Sequence, residues 1–423
     1  MSWLLLGIFF ALAAAGVPVA VSLGLASAAI LVIYDLPLSV VSQFMYTSMN
    51  SFLLVAVPLF ILTGSVMGHS GVSDRIFSAA NSLVGRWRGG LGQVNILASM
   101  IFGGISGSSV ADVSGLGPLE IRAMTTHNYP RPYAAALTMV TATLASVVPP
   151  SILMIIAAAT AEQSVGAALA GGLGPAVVLL VLFAATNYVL SVRRGYGDVS
   201  VTAAREAFRK ILVAIPALGA PVIILGGIFG GIVTPTEAAG LAVLYTLLVG
   251  ALFYRELSWA RLPALITRAG ITTGTILFIA MAASVATFIF TIDGLPVQVS
   301  TAILSISDNP AVIMLLLGLV FVVVGMFMDI IAAILILTPV LMPTALSVGI
   351  DPIHFVVFLV TALSIGLSTP PVGVCLFATA HVSGLRVEAI VKAALPYYLV
   401  MLATLALVAL LPDLVTWPVA LFM

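Results

Sequence analysis

The sequence predicts an all-α polytopic membrane protein, built as two inverted repeats that together hold about ten transmembrane helices plus two re-entrant hairpins. Three observations carry this prediction. The chain of 423 residues is 62% hydrophobic and only 7% charged, with a mean hydropathy of +1.26, whereas water-soluble domains carry about a quarter charged residues. Its apolar stretches have membrane-crossing length, and its prolines and glycines recur at one fixed offset between the two halves.

The elements follow in order. The opening MSWLLLGIFFALAAAGVPVA lacks the positively charged leader of a cleaved signal and reads as membrane helix. Candidate spans are 2–15, 18–34, 52–68, 133–160, 166–190, 211–231, 237–254, 270–291, 355–380 and 395–412. Residues 1–34 could be one long helix or two turning at Gly16-Val17-Pro18, and the repeat favours two. Two further apolar regions, 93–120 and 311–346, are interrupted near their middles. A crossing helix needs about 20 apolar residues, so these short arms read as re-entrant hairpins.

The Lys and Arg residues number fifteen and cluster around Arg75, Arg86, Arg88, Arg122, Arg131, 193–210, 255–268, Arg386 and Lys392. By the positive-inside rule those loops are cytoplasmic. The connections 35–51, 161–165, 232–236, 292–310 and 347–354 carry none, which makes them the outer side and puts both termini there. No arginine falls inside a predicted span. A net charge of zero gives no nucleic-acid footprint, and the lone Cys375 excludes an intrachain disulfide or a cysteine metal cluster and reads as packing. With no long polar segment there is no room for a soluble domain.

An offset of 221 residues, the separation of Gly104 and Gly325, also carries Pro118 onto Pro339 and Pro149-Pro150 onto Pro370-Pro371. The first repeat is then 1–195, with hairpin 93–120 and broken helix 133–160. Residues 196–210 form a cytoplasmic connector. The second repeat is 211–423, with hairpin 311–346 and broken helix 355–380. The first hairpin opens toward the arginine-rich side and the second away from it, so the halves are inverted. Inverted repeats with discontinuous helices mark secondary transporters, whose sites lie near the midplane.

Proline explains the breaks. It lacks an amide donor and clashes with the preceding turn, so VVPPSI (147–152) and STPPVGV (368–374) cannot stay continuous helix. Freed carbonyls inside a membrane must face protein, water or an ion. Beside hairpin tips at the same depth they make a hard-oxygen cage suited to sodium. In FGGISGSSVADV (102–113), Gly103, Gly104 and Gly107 allow reversal, while Ser106, Ser108 and Ser109 offer oxygens to a cation or hydrogen bonds to an anion. The matching tip, GMFMDIIA, sets Asp329 at the position equivalent to Ser108, and a carboxylate at membrane depth is a functional candidate with a cation as its company.

Other readings stand beside these. A membrane serine also bonds carbonyls of its own helix, so packing and ligation are alternatives for Ser106, Ser108 and Ser109. Asp112 reads as a cap or hairpin contact, Glu237 as a helix-dipole partner, and GGIFGG (226–231) as close helix packing. The four histidines show no ligand spacing, and no HExxH or paired-aspartate motif supports an intramembrane enzyme. A purely structural subunit would have no use for the matched breaks.

The ordered segments FGGISGSSVADV, VVPPSI, GGIFGGIVTPTEAAG, GMFMDIIAAILILTP and GLSTPPVGV resemble the large membrane subunit of tripartite ATP-independent periplasmic (TRAP) transporters, the DctM-like family. The resemblance covers essentially the whole chain. It implies a non-enzymatic, sodium-driven elevator importer of organic acids in the ion-transporter superfamily, resident in a bacterial inner membrane. It implies a small four-helix membrane subunit and a periplasmic substrate-binding protein as partners, with Na⁺ as coupling ion and no other cofactor. The sodium positions it implies are Ser106, Ser108, Pro149, Ser151, Gly325, Asp329, Ser368, Thr369 and Pro370, with Pro150 beside them. Its substrate positions are Ser108, Ser109, Ser151 and Asp329. The tip reads Ser108-Ser109 where Ser-Ala is commoner in the family, and Asp329-Ile330 where Asp-Pro is commoner. A stand-alone sodium-coupled carboxylate transporter or antiporter of the same architecture is the alternative. With no arginine in a span, the expected carboxylate grip is hairpin hydroxyls and half-helix N-termini.

Overall fold

The computed structural model describes residues 1–50, 55–197 and 204–423. The start of the span beginning at 52 and residues 198–203 of the connector lie outside the described residues. The regular structure among the described residues is helical. The first half contains α1 Ser2–Ala14, α2 Val19–Ile33, α3 Ser39–Met49, α4 Ala56–Gly68, α5 Val72–Val84, α6 Gly90–Ser106, α7 Ser109–Gly115, α8 Gly117–Thr125, α9 Arg131–Thr141, α10 Leu144–Val147, α11 Ile152–Thr160 and α12 Val165–Arg194. The second contains α13 Ala204–Phe229, α14 Pro235–Leu248 with a π-helical turn Val249–Phe253, α15 Leu262–Ile292, α16 Leu295–Leu304, α17 Pro310–Phe327, α18 Ile330–Ser347, α19 Pro352–Leu367, α20 Val374–Ser383, α21 Val387–Leu410 and α22 Asp413–Phe422.

Among the described residues, seven helices are long and apolar enough to cross a membrane, or up to nine if each bent pair counts as one span. The chain is a multi-pass membrane protein. The N-terminal stretch divides into two helices at Gly16, whose φ of 86° suits glycine alone, followed by Pro18 at the start of α2. The proline-broken helices sit at the centre. Residues 354–367 of α19 and 133–158 of α9 to α11 are buried throughout, the pattern of helices enclosed on every side. Packing there rests on small residues, because lipid offers apolar side chains no water to escape from. A Cβ on Gly103 would lie 2.6 Å from Ala145 Cα, and one on Gly366 would lie 2.7 Å from Gly325 Cα.

Two sets of helices emerge. The outer set, α1 to α4 and α13 to α15, packs α15 against α2, α3 and α4, and α13 against α14, while α5 and α16 bridge it to the inner set by packing on α6 and α18. The other, α6 to α12 and α17 to α22, packs the hairpins onto the broken helices. The inner set is tied by a buried polar chain: Tyr133 donates to Asn187 Oδ1 at 2.9 Å, lies 2.7 Å from the Tyr397 hydroxyl, and Asn187 donates to the Gly89 carbonyl at 3.1 Å.

Several expectations are corrected. The arginine-free connections 35–51 and 292–310 are not plain loops: they hold α3 and α16. Helix α5, bent 71° from α4, packs on α6, and α16 packs on α18, so each hairpin is flanked by a lateral helix. Their mixed polar and apolar sequence hid them from a search for continuous apolar runs. The arms α17 and α18 are 18 residues each and long enough to cross alone. What separates them is the extended backbone at Met328 (φ −112°, ψ 156°), not shortness. The glycines of GGIFGG do not serve close helix packing: Gly226 meets nothing within 4 Å, and Gly231, with φ 63°, turns the chain after α13. Glu237 behaves as expected, completing a capping box in which its Oε2 accepts from Thr234 N–H at 2.8 Å.

Candidate functional site

The two hairpin tips open into one cavity of about 780 Å³. Ser106, Gly107, Ser108 and Ser109 line it from the first tip, Asp329, Ile330 and Ile331 from the second, and Ser146, Ile152, Leu367 and Val374 from the broken helices. The repeat is visible in the chemistry. Ser108 Oγ caps α7 by accepting from Ala111 N–H at 3.4 Å. At the equivalent position, Asp329 Oδ1 caps α18 by accepting from Ile331 and Ala332 N–H at 3.0 and 3.2 Å. Ser151 likewise caps α11, accepting from Met154 N–H at 3.3 Å. The N-termini of α7, α11 and α18 are therefore already occupied by side chains of the chain, whereas α20 begins after Gly373 with no side-chain cap.

Each tip abuts its own break. Gly104 and Gly107 face the carbonyls of Pro149 and Pro150, which a Cβ at either glycine would approach to 3.2 Å. Among the described residues no donor reaches those two carbonyls. Ser106 Oγ is buried and also lacks a partner. The orphaned hydroxyl belongs to the same tip that abuts the free carbonyls, and hydroxyl and carbonyl oxygens are the donor type a hard cation takes. In the second half, Gly373 N–H donates to the Met326 carbonyl at 3.1 Å, joining tip to break. Both diproline bonds, Pro149-Pro150 and Pro370-Pro371, are cis.

Not all of the sequence-derived positions reach the cavity. Ser106, Ser108, Ser109 and Asp329 line it, whereas Pro149, Ser151, Gly325, Ser368, Thr369 and Pro370 are not part of its lining. Ser151 Oγ donates to the Ser146 carbonyl, Thr369 Oγ1 to Ile365 O at 2.7 Å, and Ser368 O accepts from Tyr398 Oη at 2.8 Å. Gly325 packs where a Cβ would lie 2.7 Å from Leu363 O.

Sequence reasoning missed three features. Ser146 pairs with Ser109 across the first tip. Glu120 is fully buried inside the first hairpin, where its Oε2 accepts from Asn95 at 2.8 Å and Thr138 at 3.1 Å, and Ser99 donates to the equally buried Asp112 at 2.9 Å. Asp112 is thus a contact within the hairpin. Third, helix α15 begins at Leu262, eight residues before the expected span, so Arg268 is carried on the helix, where it is exposed and lines the cavity. Reading spans by apolarity trimmed this turn away.

An all-helical membrane protein with two hairpin tips meeting two broken helices at one cavity is a secondary transporter in its class of architecture. Residues 6–414 match the family described as Tripartite ATP-independent periplasmic transporter, DctM component, and the chain belongs to that family. It is 36% identical to the sialic acid TRAP transporter large permease protein SiaM of Vibrio cholerae, over 96% of this chain and 95% of that protein. It is 35% identical to the 2,3-diketo-L-gulonate TRAP transporter large permease protein YiaN of Escherichia coli, covering 96% of each. It is 35% identical to the C4-dicarboxylate TRAP transporter large permease protein DctM of Pseudomonas aeruginosa, covering 92% of each. In fold it is similar to the Alcanivorax borkumensis YdaH transporter, with a TM-score of 0.61 at 15% identity, over 89% of this chain and 88% of that one. The chain is a transport subunit and not an enzyme.

Proposed function

We propose that this chain is the transport subunit of a sodium-gradient-driven importer of small organic acids, a dicarboxylate, a sialic acid or a related carboxylate. It receives substrate from a periplasmic binding protein and works beside a small four-helix membrane subunit in a bacterial inner membrane, with both termini periplasmic. The observation that supports this best is the cavity lined by Ser106, Ser108, Ser109 and Asp329, with the unpartnered Ser106 hydroxyl in the tip whose Gly104 and Gly107 abut the open carbonyls of Pro149 and Pro150.

Sodium at the tip-to-break cages would satisfy those oxygens and offset the Asp329 charge. Hydroxyls of the tips would then hold the substrate carboxylate, and the loaded inner set of helices would move past the outer set. Movement of an empty cage through hydrocarbon is penalised, because a lone buried charge or unpaired carbonyl costs several kcal/mol, on the order of 2–7 for each uncharged polar group. Coupling follows from that penalty without a separate gate for each ligand.

The test is uptake of labelled N-acetylneuraminate, 2,3-diketo-L-gulonate and succinate into proteoliposomes holding the chain with its small subunit and binding protein. Uptake of at least one acid should require an inward sodium gradient and the binding protein. Uptake unaffected by collapsing that gradient would remove the sodium assignment. Full uptake without the binding protein would favour the stand-alone transporter instead.

A further inference from the structure

Arg268, Thr272 and Ile276 follow one another at four-residue spacing on α15, and all three line the cavity that holds the tips. The ion pairs among the described residues are Met1 with Asp293, Arg75 with Glu256, and Lys210 with Glu206, so Arg268 has no carboxylate partner there. Asp329 shares the cavity but forms no ion pair with it. The cavity is also lined by Ser65 of α4 and by His69 just after it, with His69 Nδ1 held 2.9 Å from the Ser65 carbonyl. An exposed guanidinium at the edge of a largely apolar cavity that also carries the tip serines, with no carboxylate partner among the described residues, is a forked receptor for a carboxylate.

Its position adds a second consequence. Arg268 stands on α15, which packs with α2, α3 and α4 in the outer set, whereas the serines and Asp329 stand on the inner set. The fork shares a cavity with the tips only while the two sets hold the relation seen here, with that cavity reaching the C-terminal end of α4 and the first half of α15. Building on the transport reading above, we propose that Arg268 is a carboxylate-binding residue of the cytoplasm-facing state alone, drawing the substrate carboxylate from the hairpin tips toward the exit. An interaction present in one state and absent in the other biases only the first, so its removal changes affinity on one side of the membrane.

The experiment uses the reconstituted complex with binding protein outside, so that only correctly oriented molecules report. Entry is measured against external succinate or N-acetylneuraminate delivered by that protein, and exchange against the same acid varied in the lumen. Arg268→Gln is expected to raise the luminal half-saturation about tenfold, the equivalent of roughly 1.4 kcal/mol, and to leave the external value within about twofold. Arg268→Lys keeps the charge without the fork and is expected to fall between. If the Gln variant does not assemble, the Lys variant carries the test. Luminal half-saturation equal to wild type in the assembled variant would overturn the proposal, as would an equal rise on both sides. Wild-type complex that shows no sodium-dependent uptake of any of the three acids named above would sink the transport reading and this proposal together, whereas normal uptake with an indifferent Arg268 sinks this proposal alone.

Discussion

Asp329 performs two tasks that substitution can separate. Its Oδ1 caps α18 through Ile331 and Ala332, and its carboxylate faces the cavity. Asparagine keeps the cap and loses the charge. Asp329→Asn should retain assembly and thermal stability yet lose sodium-dependent uptake, while Asp329→Ala should lose uptake and also about 1 kcal/mol of local stability. Melting temperature and proteoliposome uptake measured on the same preparations decide between these tasks. Full sodium-dependent uptake by the Asn variant would show that the charge is dispensable. Ser108 fills the same capping position in the first half, so the two tips share a backbone solution and differ by one charge.

At the level of elements, the hairpins are seated by the absence of side chains. A Cβ on Gly366 would meet Val322 O at 2.6 Å and the Gly325 backbone at 2.7 Å, with no flexible group to give way. Gly366→Ala should therefore force α17 from α19 and cost about 1–3 kcal/mol, the range for overpacking. Gly226→Ala is its control. Nothing lies within 4 Å of that position in α13, so alanine should be neutral or stabilise by up to about 1 kcal/mol through helix propensity. Thermal unfolding of both variants in detergent checks the contrast, and equal destabilisation would contradict the packing account. The same logic explains what the sequence left hidden. Gly104 and Gly325 are legible as equivalent punctuation, but that Gly104 approaches the Pro149 carbonyl and Gly325 approaches Gly366 on the broken helices is a matter of contact between elements.

The whole molecule is closed at its arginine-free end by contact between sequence-distant parts. Asp293, at the corner between α15 and α16, accepts from the Ser2 backbone N–H at 2.8 Å, which holds its carboxyl below the usual carboxylate range. A depressed folded value means that the contribution is fully present above the unfolded value of about 3.9 and is lost as pH falls through the folded one. The melting temperature of wild type should exceed that of Asp293→Ala at neutral pH, and the gap should narrow below about pH 4. A gap that widens in acid would reverse the assignment.

The sequence by itself determined the membrane class, the paired breaks, the inverted halves and the tip residues, because apolar run length and proline geometry act locally and leave their mark on neighbouring positions. The tertiary structure alone decided which oxygens stay free. Ser106 and Ser151 look alike in sequence, yet one hydroxyl is orphaned while the other is bonded to Ser146 and Met154. It also decided that Arg268 faces the cavity and that Glu120 is fully enclosed. A residue's own chemistry is written in its letter, but its partners are supplied by chain folded from tens to hundreds of positions away, and partnership is what separates a ligand from a strut.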